Sequence, residues 1–166
     1  MEINIFQYGP SDLEEIRVIQ REFLSFLFSE LNKLPWFNLD EEHQVQLIMK
    51  NLDEFAEPDG RLFLVETDGQ IAGTISLRKI RRNCGEIKRM YVRPQFRGNK
   101  IATLMIDEVI KVSKNNGYSD LYLDTAQFMS SAVSLYKKFG FHETEPYPES
   151  VNPEGYWEKW IFMTKK

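Results

Sequence analysis

The chain predicts a mixed α/β domain of the α+β kind, with helices flanking a central, mostly antiparallel, twisted sheet. Three observations point there. Two helix-patterned segments come first, and strand-patterned runs joined by short turns follow between residues 61 and 92. The last of these runs leads through Pro94 into a basic, glycine-containing turn and then straight into a long helix. A further strand and helix come next, so one crossover unit is attached to an antiparallel run. The 166 residues are read as a single domain, 1–166, long enough to bury a core without staples.

Residues 2–7 are the opening strand. Ser11 and Glu14 stand three apart, the spacing of a capping box. Leu13, Ile16, Ile19, Phe23, Phe26 and Leu27 then recur at helical spacing, so a helix runs to about Leu31. Leu34-Pro35-Trp36 breaks it, and a second helix is expected from Asp40 to Phe55. After the turn Glu57-Pro58-Asp59-Gly60, strands are expected at 61–66 and 70–80, with Asp68-Gly69 as the hairpin signal between them. Gly85 to Val92 is the next strand. Lys100 to Asn116 is the central helix, with Ile101, Leu104, Met105, Val109 and Val112 inward and Gly117 as its stop. Leu121 to Asp124 is a strand, and Met129 to Phe139 a helix stopped by Gly140. Glu143 to Gly155 holds Pro146, Pro148 and Pro153 and is expected to be a shaped loop; Tyr156 to Met163 closes the sheet.

Composition excludes several classes. Hydrophobic residues make up 42% and charged ones 28%, an ordinary globular balance that leaves no low-complexity tract. The single Cys84 cannot form an intrachain disulfide and is read as an inert thiol. No apolar run approaches the roughly 20 residues of a spanning helix, and the start lacks a signal-peptide pattern. The expected setting is cytoplasmic, with no membrane partner. His43 and His142 are isolated, without a second ligand at helical or hairpin spacing, so no metal is expected.

The net charge of -4 hides an asymmetry. Residues 78–100 carry nine basic side chains and only one acid, Glu86, whereas residues 1–60 carry thirteen acids against four bases. A nucleic-acid binder is more often basic overall. The basic segment coincides with the turn that opens the long helix, so a compact polyanion is the better partner and no nucleic acid is expected. That turn is Arg97-Gly98-Asn99-Lys100-Ile101-Ala102, followed by Thr103. Backbone N–H groups at a helix start are unpaired within the helix and point at an anion.

The order of strand, phosphate turn, helix, strand, and a helix ending Tyr136-Lys137-Lys138-Phe139-Gly140-Phe141 resembles the GNAT superfamily of N-acetyltransferases. Their pyrophosphate turn reads Arg/Gln-x-x-Gly-x-Gly/Ala, and here Lys100 stands where the family usually has glycine. The likeness is strong over roughly residues 61–142. Tyr91-Val92-Arg93-Pro94, Leu123-Asp124-Thr125, Pro146-Tyr147, Asn152-Pro153 and Phe162-Met163 extend it to a bacterial subgroup of uncertain substrate. The resemblance implies a GNAT-like fold and acetyl-CoA as the acyl-donor cosubstrate. The backbone of Met90, Tyr91 and Val92 would pair with the pantetheine arm, and the acceptor groove would lie between the first two helices and the loop from Glu145 to Gly155. A primary amine of a small molecule or peptide is then the acceptor, and a homodimer is a common family assembly.

Acetyl transfer to an amine needs a neutral nucleophile and a leaving thiolate. Tyr136 is the candidate acid at the thiolate. Its hydroxyl, with a pKa of about 10 against about 8.5 for a thiol, gives up a proton only uphill, by roughly 2 kcal/mol. A lysine-like ammonium has a pKa near 10.4, so its deprotonation at neutral pH costs roughly 4 kcal/mol and calls for a general base. Glu86 is the first candidate, expected on one strand face with Lys88, Met90 and Val92. Asp124, at the end of its strand, is the second. Lys100 can serve in the turn if its φ is negative and its side chain points outward. The rival readings are a non-catalytic acyl-CoA-binding regulatory module and a nucleic-acid binder using Arg78 to Lys100.

Overall fold

In the computed structural model, residues 2–31, 33, 40–151 and 158–166 are described. Seven strands form one sheet: β1 (Ile3–Gln7), β2 (Arg61–Thr67), β3 (Gln70–Arg81), β4 (Cys84–Val92), β5 (Asp120–Ala126), β6 (His142–Thr144) and β7 (Trp160–Lys165). Among the described residues four α-helices accompany them: α1 (Leu13–Leu31), α2 (Glu41–Lys50), α3 (Ile101–Asn115) and α4 (Ser130–Lys138). The strand order is β1-β2-β3-β4-β5-β7-β6. Every neighbouring pair is antiparallel except β4 and β5, which α3 connects as a crossover.

Local chemistry accounts for most boundaries. Asp68 and Gly69 both have positive φ, 50° and 74°, as a two-residue primed hairpin turn demands. Asp40 caps α2 by accepting from the His43 N–H at 3.1 Å. At α1 the expected Ser11–Glu14 box does not form. A 3-10 turn occupies Pro10–Asp12 instead, and the Asp12 carboxylate accepts from the Gly9 N–H at 2.7 Å.

Three expected boundaries move. The second helix ends at Lys50, and Leu52–Phe55 is a 3-10 turn whose Leu52 and Phe55 still reach the core, which is why their spacing reads as helical. His142–Thr144 pairs with β7 although the sequence there reads as loop. The closing strand runs from Trp160 to Lys165. The expected helix break at Leu34-Pro35-Trp36, the Asn152-Pro153 motif and Tyr156 lie outside the described residues.

Each face of the sheet buries its own cluster. One packs Ile75, Leu77 and Ile87 against Ile101, Met105, Ile106 and Val109 of α3. The other packs Leu62, Leu64 and Tyr91 against Ile16 and Ile19 of α1 and Phe55. A fully buried side chain of this kind contributes roughly 1.5–3 kcal/mol. On this second face β3 and β4 change character: Thr74, Ser76 and Glu86 are buried there. Buried polar groups concentrated on one stretch of a sheet are a functional signal, because each costs free energy unless it is paired.

Candidate functional site

β4 and β5 pair only from Cys84 opposite Asp120 to Ile87 opposite Leu123. β4 continues to Val92 and β5 to Ala126. Beyond Ile87 the two strands therefore face each other without a ladder, and the β4 edge can hydrogen-bond an extended ligand.

A bulge sits at the same place. Ser76 is opposite Lys88 and Thr74 is opposite Tyr91, so two residues of β4, Arg89 and Met90, stand against the single Ile75 of β3. Arg89 lies within the bulge, with φ of 56°. The alternation of side chains shifts there. Glu86 and Lys88 share the face of Tyr91, whereas Met90 and Val92 pack with Ile87 against the α3 cluster. Simple alternation puts Glu86, Lys88, Met90 and Val92 together; the bulge divides them. It also puts Arg89 on the side of Lys88, with its guanidinium 4.4 Å over the ring of Phe55.

Past β4, Pro94–Phe96 forms a 3-10 turn that leads to the Arg97–Lys100 segment and α3. Gly98 has φ of 83° and Lys100, the residue capping α3, has φ of 62°. Of the two conditions under which a lysine serves here, the outward side chain is met and the negative φ is not. The chain reverses into the helix within three residues, and a left-handed residue makes that possible; the lysine side chain is exposed. Among the described residues, no backbone carbonyl accepts from the N–H groups of Gly98, Asn99, Lys100, Ile101, Ala102 or Thr103. Left-handed residues beside such donors make a concavity suited to an anion. Arg97 turns away from it: Nε donates to the Val92 carbonyl at 3.1 Å, and the guanidinium lies 5.4 Å from the Phe26 ring. Asn99 braces the turn by donating to the Phe96 carbonyl at 3.1 Å. Ile101, fully buried, roots the helix start in the core.

Between this edge and α1 and α2 lies a cavity of about 480 Å³. β4 contributes Lys88, Arg89 and Met90 to its wall, β5 contributes Asp124, and α4 contributes Tyr136; α1 and α2 supply mainly apolar side chains. Tyr136 is buried, with its hydroxyl 3.7 Å from the Met90 sulfur. Burial, and then the charge of Asp124, push its ionisation well above the ordinary tyrosine range.

The buried carboxylates form one network. Glu86 accepts from Arg78 Nε at 2.6 Å and from the Tyr147 hydroxyl at 2.6 Å, with Lys88 Nζ 3.5 Å away. Asp124 accepts from the same Lys88 Nζ at 2.9 Å and from the same Tyr147 hydroxyl at 3.3 Å. Burial, then the two negative charges, hold Tyr147 protonated far above the ordinary range, so it remains a donor. Glu86 is wholly buried behind Lys88, while Asp124 and Lys88 form cavity wall. Arg78 reaches on to Glu54 at 2.6 Å.

The charge asymmetry of the sequence is resolved here in space. Arg78, Lys79 and Arg93 from the basic segment pair with Glu54, Asp59 and Glu22 from the acidic one. Lys88 and Arg81 pair with Asp124 and Glu149. The network residues Arg78, Lys88 and Tyr147 were not singled out as functional in the sequence. The legible signal was Arg78 directly across the β3–β4 hairpin from Glu86, a cross-strand opposite-charge pair.

The site thus joins an open amide turn at a helix start to a parallel strand pair whose ladder stops at Ile87. The model of the acetyltransferase (GNAT) family matches residues 25–141, and the chain belongs to that family. It is 33% identical over 146 residues to an uncharacterized N-acetyltransferase of Schizosaccharomyces pombe, covering 87% of this chain and 85% of the relative. The crystal structure of a GNAT-family acetyltransferase from Staphylococcus aureus superposes with a TM-score of 0.77 at 26% identity, over 99% of this chain and 98% of the other. The PaiA N-acetyltransferase of Thermoplasma acidophilum, solved in complex with coenzyme A, shares the fold with a TM-score of 0.73 at 20% identity, over 100% and 99% of the two chains.

Proposed function

We propose that this protein transfers the acetyl group of acetyl-CoA to a primary amine of a small molecule or peptide, directly within a ternary complex. The observation that carries this is the continuity of β4. Its unpaired edge runs from Lys88, on the cavity wall, past Met90 at the Tyr136 hydroxyl, to Val92 at the open turn. The N–H groups from Gly98 to Thr103 would hold the pyrophosphate, with the Thr103 hydroxyl in reach. The Met90–Val92 backbone would hold the pantetheine arm, and one of its amides would face the thioester carbonyl oxygen.

In the reaction the amine nitrogen bonds to the thioester carbonyl carbon, the carbon–sulfur bond breaks, and coenzyme A leaves as the thiolate. Asp124, on the cavity wall beside Lys88 and Tyr136, takes the proton that the amine must lose; Glu54, also on the wall, is ion-paired to Arg78. Glu86, the base the sequence points to first, stands behind Asp124 and holds Lys88 and Tyr147 in place around it. Tyr136 hydrogen-bonds the departing sulfur. Because its ionisation is pushed upward, full proton donation to a thiolate of pKa about 8.5 is harder than for a free tyrosine. Stabilisation of the sulfur by an intact O–H is therefore the larger part of its role.

The test is a panel of small amines and peptides incubated with acetyl-CoA, read by coenzyme A release and by mass spectrometry of the products. Acetylated product on any member supports the transferase. Tight coenzyme A binding with no product across the panel would replace it with a non-catalytic acyl-CoA-binding module.

A further inference from the structure

Arg89 is a cavity-lining cation that no carboxylate among the described residues pairs with. Its side chain lines the wall, yet Nη1 is buried without a hydrogen-bond partner. No carboxylate among the described residues lies within ion-pair distance of it. The two cations beside it on the same face differ: Arg78 is held by Glu54 and Glu86, and Lys88 by Asp124 and Glu86. One face of the guanidinium is covered by the Phe55 ring at 4.4 Å. Burial, the dominant effect, pulls its pKa down to about 10, so it stays charged at neutral pH. Arg89 also has a left-handed backbone, φ of 56°, which is strained for a long side chain. A buried guanidinium nitrogen without a hydrogen-bond partner and a strained backbone at one residue are two costs that folding alone does not explain. Both are accounted for if the bulge exists to aim a guanidinium fork into the cavity.

We propose that the acceptor is an amino carboxylate with an apolar side chain, its carboxylate received by the Arg89 guanidinium. This rests on the transferase reading and names its substrate class. A planar carboxylate matches the guanidinium fork, and the nearby Glu54, although it lines the same cavity, is ion-paired to Arg78 rather than to Arg89. Arg89 is the immediate neighbour of Met90, whose sulfur touches the Tyr136 hydroxyl. Arg89, Asp124 and Tyr136 line one small cavity, so a small acceptor that carries its carboxylate to Arg89 can carry its amine to Asp124, as a free amino acid would. The rest of the wall fits the remaining atoms: Leu24, Leu27 and Phe28 from α1 face Leu47 and Ile48 from α2. A cavity of about 480 Å³ is within the range of small-ligand pockets, roughly 300–1,000 Å³.

The experiment compares matched pairs: L-leucine with 3-methylbutylamine, and L-phenylalanine with 2-phenylethylamine. Each pair shares a skeleton and differs by the carboxylate. The wild-type enzyme is expected to acetylate the amino acids with a kcat/KM at least tenfold higher than their decarboxylated partners. Arg89→Met is expected to remove that preference, lowering kcat/KM for the amino acids roughly 10–100-fold, the range for losing a charged hydrogen-bonded contact, and leaving the amines nearly unchanged. Arg89→Lys should keep part of the preference. Should Arg89→Met fail to fold, the wild-type comparison alone decides. Equal or better turnover of the decarboxylated amines, or of a peptide panel, overturns the carboxylate assignment while the transferase stands. Absence of transfer to every amine overturns both.

Discussion

The Tyr147 hydroxyl donates to Glu86 Oε1 at 2.6 Å across 61 residues of sequence, and the same oxygen lies 3.3 Å from Asp124. One phenol thereby ties the loop after β6 to two sheet strands and serves two carboxylates. Tyr147→Phe keeps the ring against Tyr122 and Phe162 and removes only the donor. It should destabilise the fold by about 1–3 kcal/mol, the cost of leaving a buried charged acceptor short of a partner. The pH dependence has a definite sign. The folded state raises the Tyr147 pKa, so its contribution is fully present below the unfolded value of about 10 and is lost as pH rises above it. Denaturant unfolding should show a constant deficit for the variant from pH 7 to 9, narrowing above pH ~10. A deficit that widens there is incompatible with a raised pKa.

The two carboxylates should separate by pH profile. Asp124→Asn removes the base from the cavity wall, so turnover near neutrality should fall by roughly 10²–10⁴. The deficit should shrink as pH approaches the acceptor amine's own pKa, where the neutral amine is supplied by solvent. Glu86→Gln should lower turnover by a smaller, pH-independent factor. Its larger effect should be on stability, by about 1–3 kcal/mol, because Arg78 and Lys88 keep Glu54 and Asp124 as partners. If Glu86→Gln shows the pH-dependent recovery and Asp124→Asn does not, the roles are reversed.

The turn prediction concerns Lys100. A non-glycine residue in the left-handed region costs roughly 1–2 kcal/mol, and glycine repays part of that through unfolded-state entropy, roughly 0.4–1 kcal/mol. Lys100→Gly should therefore leave stability unchanged or raise it by up to about 1.6 kcal/mol and preserve or tighten coenzyme A binding by calorimetry. A loss beyond about tenfold, or about 1.4 kcal/mol, would mean that the Lys100 ammonium itself holds a phosphate.

The sequence disclosed what is locally encoded. The hairpin at Asp68-Gly69, the helix stop at Gly117 and the turn from Arg97 all follow from residue types at short spacing, and all are present. What was hidden depends on register. The bulge at Arg89 arises from how β4 pairs with β3, and without it Met90 and Val92 read as companions of Glu86. The Glu86–Tyr147–Asp124 group joins three distant segments, and no periodicity announces that. The three residues of β6 are too few to show alternation and become a strand only through pairing with β7.

Tyr136→Phe tests the last assignment. The ring stays packed edge-on against Phe141 at 5.8 Å, so fold and coenzyme A affinity should change little. With a strongly bound O–H in wild type, the loss in turnover should be modest, about tenfold, rather than the 10²–10⁴ of a true general acid. The leaving thiol discriminates further. A thioester of a more acidic thiol needs less help, so the variant's deficit should shrink with it if the hydroxyl stabilises the sulfur's charge. A deficit that stays constant across thiols would make Tyr136 a positioning residue for Met90 and the thioester. A deficit above 10³ that vanishes with the acidic thiol would restore full proton transfer, and would require acetyl-CoA binding to bring the Tyr136 pKa down from its raised value.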